Sequence, residues 1–168
     1  MPSLVATASS ATANSYATVS EADTYFDERL QAANWSGDSD DKKRALIQAT
    51  RRIDTKRFEG QKTTTGQALQ WPRILAYDDD DVEYDSTAVP AIVKYAMYEE
   101  ALRILNDNAG STDTFAPTGL EGFKRAKVGP IEVEIDKGFH AGELTDAARR
   151  WLRPVLRSAG IMAELVRS

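Results

Sequence analysis

The sequence predicts a mainly α-helical fold: a small antiparallel bundle around one central helix, one β-hairpin or extended strand, and extended arms at both ends. Residues 90–105 carry two apolar rows at helical spacing, which indicates a helix covered from two sides. Residues 123–136 include an alternating apolar and acidic run, which is typical of a half-buried strand. We therefore predict a flexible N-terminal arm (1–15), a helical bundle with a strand segment (16–136), and a C-terminal helix with a tail (137–168).

The central helix is expected to begin at Pro90, because proline suits the first helical position. Only a narrow polar strip remains between its two apolar rows. The strip consists of Lys94, Glu99, Glu100 and Arg103. Since the apolar rows are used inside the bundle, we predict that Lys94, Glu99 and Arg103 contact another subunit.

Two helices with a single apolar stripe precede the central helix and can cover its rows. The first is predicted over residues 21–33 with Ser20 as its N-cap. The second is predicted with Ser39 or Asp40 as its N-cap and with an end near Thr55. Both are expected to pack against the central helix through these stripes.

The C-terminal region predicts one more helix and a short tail. The helix begins at Leu144 or Thr145, and Pro154 bends or ends it. Its apolar face comprises Ala147, Ala148, Trp151, Leu152 and Val155. Beyond Gly160, helical spacing recurs at Ile161, Met162, Leu165 and Val166.

Between the second helix and the central helix, the pattern indicates loops with buried aromatic anchors. Residues 58–67 contain two glycines and three consecutive threonines, which favours a turn or loop. Trp71 precedes a proline and is predicted to be a plug between elements rather than a ligand platform. Trp35 is expected to fold back on the core.

Charge is unevenly distributed along the chain. The formal net charge is −5, which argues against a protein that coats nucleic acid on all sides. Residues 42–57 nevertheless hold seven cations and one acid, whereas residues 78–85 hold six acids and no cation. Such separation is explained either by solvated faces or by complementary surfaces between copies or partners.

A second basic cluster surrounds Trp151 near the C-terminus. It consists of Arg149, Arg150, Arg153 and Arg157. Three interpretations stay open at this point: a cationic helix face whose stems cover apolar surface, a docking site for an acidic partner, or a site for phosphates and a stacked base.

Nothing in the sequence indicates catalysis, so we predict that the protein is not an enzyme and has no cofactor. His140 is the only histidine and has no motif partner, and cysteine is absent. The acidic run 78–81 lacks the ligand spacing and central glycine of a calcium loop, so we predict no metal site. No apolar stretch approaches the ~18 residues of a membrane span, and the N-terminus has no convincing secretory signal. We expect a soluble, intracellular protein.

Several segments in order resemble a known family. Residues 15–26 (SYATVSEADTYF), 45–54 (ALIQATRRID), 67–73 (QALQWPR) and the Val89-Pro90 pair resemble a tailed-bacteriophage family labelled as DnaT-like single-stranded-DNA-binding proteins. Residues 127–135 (KVGPIEVEI) also resemble the strand signature of phage head–tail adaptor (connector) proteins. From this combination the chain is identified as similar to a head–tail adaptor.

The adaptor resemblance implies a homo-oligomeric ring, expected to be twelvefold, in the virion neck, made in the host cytoplasm. The ring would sit under the portal, continue the channel for double-stranded DNA without sequence-specific binding, and offer a platform to a stopper or tail protein. Portal contacts are expected from Arg149, Arg150, Trp151, Arg153, Arg157, Ile161, Met162 and Leu165. Subunit contacts are expected from Ile131, Val133 and Ile135, whose strand has an open edge.

The alternative function is that of a replication accessory protein that binds single-stranded DNA. It is less favoured at this point, because such proteins need a basic groove with several aromatic rings. Here the net charge is negative and the tryptophans are scattered along the sequence.

Overall fold

The structure is a computed structural model that describes residues 1–30, 35–108, 125–128, 131–134 and 144–157. It confirms the mainly α-helical fold, with a central helix and small antiparallel strand pairs. The described elements are α1 (Val19–Asp27), α2 (Ser39–Asp54), β1 (Gln61–Lys62), β2 (Arg73–Ile74), α3 (Ala91–Asn108), β3 (Arg125–Val128), β4 (Ile131–Glu134) and α4 (Asp146–Leu152). Within these ranges, no helix combines the length and apolarity needed to cross a membrane.

Helix α3 lies at the centre of the bundle. Helices α2 and α4 pack along it, and α1 contacts both α2 and α3. The first predicted apolar row is fully buried; it comprises Val93, Ala96, Met97, Ala101 and Ile104. In the second row Tyr98 and Leu102 are buried, while Tyr95 and Leu105 are half-buried. Two apolar rows therefore do have two sets of neighbours, as the sequence predicted.

Helix α1 begins earlier than expected, because Thr18 rather than Ser20 is its N-cap. The Thr18 side chain accepts from the backbone N–H of Glu21, and the Glu21 carboxylate accepts from the backbone N–H of Thr18 at 2.8 Å. These two bonds form a complete capping box. The helix ends at Asp27, short of the predicted residue 33, and residues 31–34 lie outside the described ranges.

The predicted bounds of α2 and α4 agree closely with the structure. Asp38 caps α2, one residue before the predicted cap, by accepting from the backbone N–H of Asp41 at 2.8 Å. Thr145 caps α4, and a single 3-10 turn, Arg153–Val155, follows where Pro154 interrupts the α-helix.

The N-terminal segment, which we predicted to be a flexible arm, is hydrogen bonded to itself and to the bundle. The Asn14 side chain accepts from the backbone N–H of Val5 at 2.8 Å, and the backbone N–H of Ala68 donates to the Ser10 carbonyl at 3.0 Å. Ala13 and Ser15 are buried. Small residues can pack closely against other backbone, so an Ala/Ser/Thr-rich stretch is ordered here by contact rather than by its own apolar bulk.

Part of the loop predicted at residues 58–67 forms a strand. β1 pairs with β2 in an antiparallel sheet, and the Arg73 guanidinium donates to the carbonyls of Glu59 (2.6 Å) and Gly60 (2.7 Å). Trp71 is 1% exposed and packs edge-on against Phe58, which confirms it as a buried plug. Trp35 is also buried, so its prediction as an anchor is confirmed.

The second strand pair is the hairpin that the sequence left as one of two alternatives. β3 and β4 are antiparallel, with Arg125 opposite Glu134 and Val128 opposite Ile131. This register places the predicted contact residues Ile131 and Val133 within a paired strand.

Candidate nucleic-acid interface

Two basic segments that are about a hundred residues apart in sequence meet in the fold. The backbone N–H of Arg157 donates to the carbonyl of Arg57 at 3.0 Å, and that of Glu59 donates to the carbonyl of Val155, also at 3.0 Å. Between these bonds Phe58 and Leu156 form an antiparallel bridge. Burial of Phe58 and Val155 fixes the two segments together through the core.

The cations on these segments stay available on the surface. Six of them make no ion pair within 4.0 Å to any residue that the structure describes. They are Arg51, Lys56, Arg57, Arg150, Arg153 and Arg157. We call these six residues the basic junction. All are exposed except Lys56, which is half-buried.

The remaining cations of residues 42–57 are already neutralised. Lys42 pairs with Asp23 at 2.8 Å, and Lys43 and Arg44 pair with acids of the first turn of α2 at 3.1 and 2.7 Å. The cations of residues 42–57 therefore fall into two groups. Lys42, Lys43, Arg44 and Arg52 form ion pairs, and the other three, Arg51, Lys56 and Arg57, belong to the basic junction.

A buried carboxylate positions the helices that carry the junction. Glu100 is fully buried and accepts from the Arg52 guanidinium at 2.7 Å, from Arg103 at 2.8 Å and from the backbone N–H of Thr145 at 3.0 Å. Burial raises the pKa of Glu100, against the Thr145 N–H and the charge of Arg52, which lower it. This cluster fastens α2, α3 and the start of α4 to one another.

The polar strip of α3 is turned into the chain more than the sequence predicted. Glu99 is buried and accepts from the Tyr25 hydroxyl at 2.6 Å and from the Arg29 guanidinium. Lys94 pairs with Glu21 at 2.6 Å. The sequence did not indicate that Glu99 and Glu100 would be buried within the chain. Contact of Lys94, Glu99 and Arg103 with another subunit stays a prediction, since a single chain does not test it.

Trp151 lies at the edge of α4 rather than inside its packing face. Its side chain is 39% exposed, whereas Ala148, Leu152 and Val155 are buried. Arg149 pairs with Asp146 at 2.8 Å on the same helix. Of the other predicted contact residues, Ile135, Ile161, Met162 and Leu165 lie outside the described ranges, as does His140.

The acidic run forms a turn that is closed by its own hydrogen bonds. The Asp78 carboxylate accepts from the backbone N–H groups of Asp80 (3.0 Å) and Val82 (2.9 Å), and Tyr77 bridges to Glu83. Among the described residues, no group of three or more acids or histidines is arranged to hold a metal ion.

Comparison with known proteins identifies the family. The family model described as "Putative DnaT-like ssDNA binding protein" matches residues 3–168. The chain belongs to this family. No curated protein and no solved structure matches it.

Membership of the DnaT-like family corrects the identification as a head–tail adaptor. The match spans nearly the whole chain and its description concerns single-stranded DNA, so the predicted neck function, with its portal-bound twelvefold ring, is wrong. The description agrees instead with the alternative function. Self-association, cellular location and the absence of enzymatic activity stay predictions.

Proposed function

We propose that this protein binds single-stranded DNA through the basic junction, as an accessory to DNA replication. The observation that carries the proposal is the backbone hydrogen bond from Arg157 to Arg57, which places these two exposed arginines opposite each other; neither makes an ion pair with a residue that the structure describes. The family description supports the same ligand.

The negative net charge does not oppose this function, because salt screens distant charges and a bound strand interacts mainly with charges near it. At physiological ionic strength charges separated by more than about 8 Å are largely screened when they are exposed. The cations of residues 42–44 form ion pairs with Asp23, Asp40 and Asp41, whereas those of the basic junction have no ion-pair partner among the residues that the structure describes. Arg57 and Arg157 therefore place two exposed positive charges next to each other, beside the acid Glu59, in a protein whose net charge is −5.

Contacts between these cations and phosphates carry no base information. Each phosphate that is neutralised releases bound counterions, so affinity should depend steeply on salt and little on sequence. The first expected result is a linear fall of log K with log salt for a labelled 20-nucleotide oligothymidine, measured by fluorescence anisotropy. The slope should be about −0.7 per phosphate contacted, and six cations set its limit at roughly −4.

The double variant Arg57→Gln/Arg157→Gln should flatten this slope by about 1.4 and weaken binding at every salt concentration. Arg44→Gln is the matched control, because Arg44 is an exposed arginine at the other end of α2 and pairs with Asp41. It should leave the slope unchanged. If wild-type protein fails to bind at low salt, the proposed function is wrong. Equal losses in both variants would place the site elsewhere.

A further inference from the structure

Three aromatic rings from three helices form a row that reaches the surface beside the basic junction. Tyr25 of α1 stacks on Tyr95 of α3 with ring centroids 5.2 Å apart and planes inclined by 25°. Tyr95 in turn contacts Trp151 of α4 edge-on, with centroids 5.1 Å apart and planes at 64°. No pattern in the sequence indicated this row, because its members are separated by tens of residues.

The row is held firmly at its inner end. The Tyr25 hydroxyl donates to the buried Glu99 carboxylate at 2.6 Å. Its ring also contacts Phe26 and Tyr98, at centroid distances of 5.1 and 5.0 Å. A ring fixed in this way loses little freedom when a ligand stacks on the row.

Trp151 stands at the outer end of the row and differs from the other two tryptophans. It is 39% exposed, whereas Trp35 and Trp71 are buried in the core. The core contacts of α4 are supplied by Ala148 and Leu152, both fully buried. The packing of α4 therefore accounts for only part of the Trp151 surface.

Two exposed cations stand close to the ring in sequence, and neither makes an ion pair with any residue of the described ranges. Arg150 directly precedes Trp151, and Arg153 follows it within one helical turn. Both belong to the basic junction and are exposed. An aromatic ring beside arginines is the arrangement by which proteins bind single strands, since the ring stacks on a base and the cations meet the neighbouring phosphates.

We propose that Trp151, supported by Tyr95 and Tyr25, is a platform on which a base of single-stranded DNA stacks while Arg150 and Arg153 contact the adjacent phosphates. This inference rests on the proposed function and adds a contact to the bases themselves. Because every base has a π-face, the platform accepts any sequence but requires that bases be present and unpaired.

The test compares two oligonucleotides of equal length, an oligothymidine and an abasic strand with the same phosphates. Trp151→Ala should weaken binding of the oligothymidine about fivefold or more, the lower end of the range for one base–aromatic stack. Binding of the abasic strand should stay within twofold. Trp151→Phe keeps a ring and should lose less than Trp151→Ala. Tyr77→Ala is the matched control, because Tyr77 is a 43% exposed ring in the acidic turn.

Each outcome separates the platform from the function on which it rests. Wild-type protein that binds both strands, with no loss in Trp151→Ala, overturns the platform and leaves DNA binding intact. Equal losses on both strands also overturn it, because Trp151 would then only position the cations. Wild-type protein that binds neither strand refutes the proposed function itself. Circular dichroism of each variant establishes that it is folded before binding is compared.

Discussion

Glu99 shows how a single buried acid is accommodated in this domain. Its carboxylate accepts from the Tyr25 hydroxyl and from the Arg29 guanidinium, so the cost of burying its charge is offset by two donors. The pKa of Tyr25 is raised in consequence, first by burial of the phenol and then by its bond to Glu99. A neutral Tyr25 is thus part of the folded state.

Replacing this phenol gives a prediction whose sign follows from the raised pKa. Tyr25→Phe should lower the free energy of unfolding by about 1 kcal/mol at pH 8, the usual net value of one hydrogen bond. Above the ordinary tyrosine pKa of 10, the unfolded wild-type chain loses a proton that the folded chain keeps, so wild-type stability falls as the pH rises. The cost of the substitution should therefore shrink above pH 10, which urea unfolding at pH 8 to 11 measures.

Tyr77→Phe serves as the control for this experiment. Tyr77 is 43% exposed and lies outside the core cluster, so its substitution at pH 8 should change stability by less than about 0.5 kcal/mol. A Tyr25→Phe cost that stays constant from pH 8 to 11 contradicts the assigned role of Tyr25.

Among the structural elements, the tight approach of residues 59–60 to strand β2 depends on one glycine. Gly60 has φ +70°, and a Cβ placed there would lie 2.2 Å from the Ile74 carbonyl oxygen. Gly60→Ala should lower the free energy of unfolding by about 2 kcal/mol or more, through backbone strain and the clash with β2. Thermal or urea unfolding of the variant checks this value.

Gly66 offers a matched site in the same region. A Cβ at Gly66 meets nothing within 4 Å, and its φ is not in the left-handed range. Gly66→Ala should therefore be neutral or stabilise by up to about 1 kcal/mol. An equal loss of unfolding free energy at the two glycines would show that the close approach of Gly60 to β2 is not the cause of the loss.

The elements differ in how far the sequence could predict them. The periodic helices α2 and α3 were predicted closely, because each carries long apolar rows. The start of α1 was missed although a signal existed: Glu21 stands three residues after Thr18, which is the full capping box, whereas Ser20 has only Asp23. Strands β1 and β2 have two residues each, too few for any alternation to appear.

The candidate site was less predictable than the fold, for a reason that concerns the whole molecule. Each basic cluster was visible in the sequence. The backbone hydrogen bond between Arg57 and Arg157, however, depends on tertiary packing around Phe58 and Val155. Net charge was misleading, because it does not distinguish cations that form ion pairs, such as Arg44 with Asp41, from cations that are exposed on the surface. The aromatic row likewise exists only after three helices have packed.

The Glu100 cluster gives a prediction at the same scale, because it joins three helices. Glu100→Ala removes the carboxylate beside the buried Arg52 and should lower the free energy of unfolding by about 3 kcal/mol at pH 7. Glu100→Gln should cost clearly less. Since the pKa of Glu100 is raised, the part of its contribution that depends on protonation is fully present below the ordinary value of 4.5 and is lost as the pH rises. Gln resembles the protonated form and keeps an oxygen that accepts from Arg52.

Urea unfolding of the two Glu100 variants at pH 4 and pH 7 tests this argument. The free energy of unfolding of wild-type protein minus that of Glu100→Gln should be larger at pH 4 than at pH 7. The opposite order would mean that the carboxylate is favoured in its charged form by Arg52 and Arg103. In either case loss of DNA binding in Glu100→Ala should follow loss of folded protein.

If single-stranded DNA binds as proposed, the backbone hydrogen bond between Arg57 and Arg157 gives the bound strand an effect on the protein itself. Neither segment alone carries the full set of cations, so the unfolded chain offers a strand a much poorer site than the folded chain does. A ligand that prefers the native state stabilises it by mass action. On the proposed function, a strand lying across both segments would therefore hold the residues that follow α4 (155–157) against those that follow α2 (57–59) for as long as it is bound.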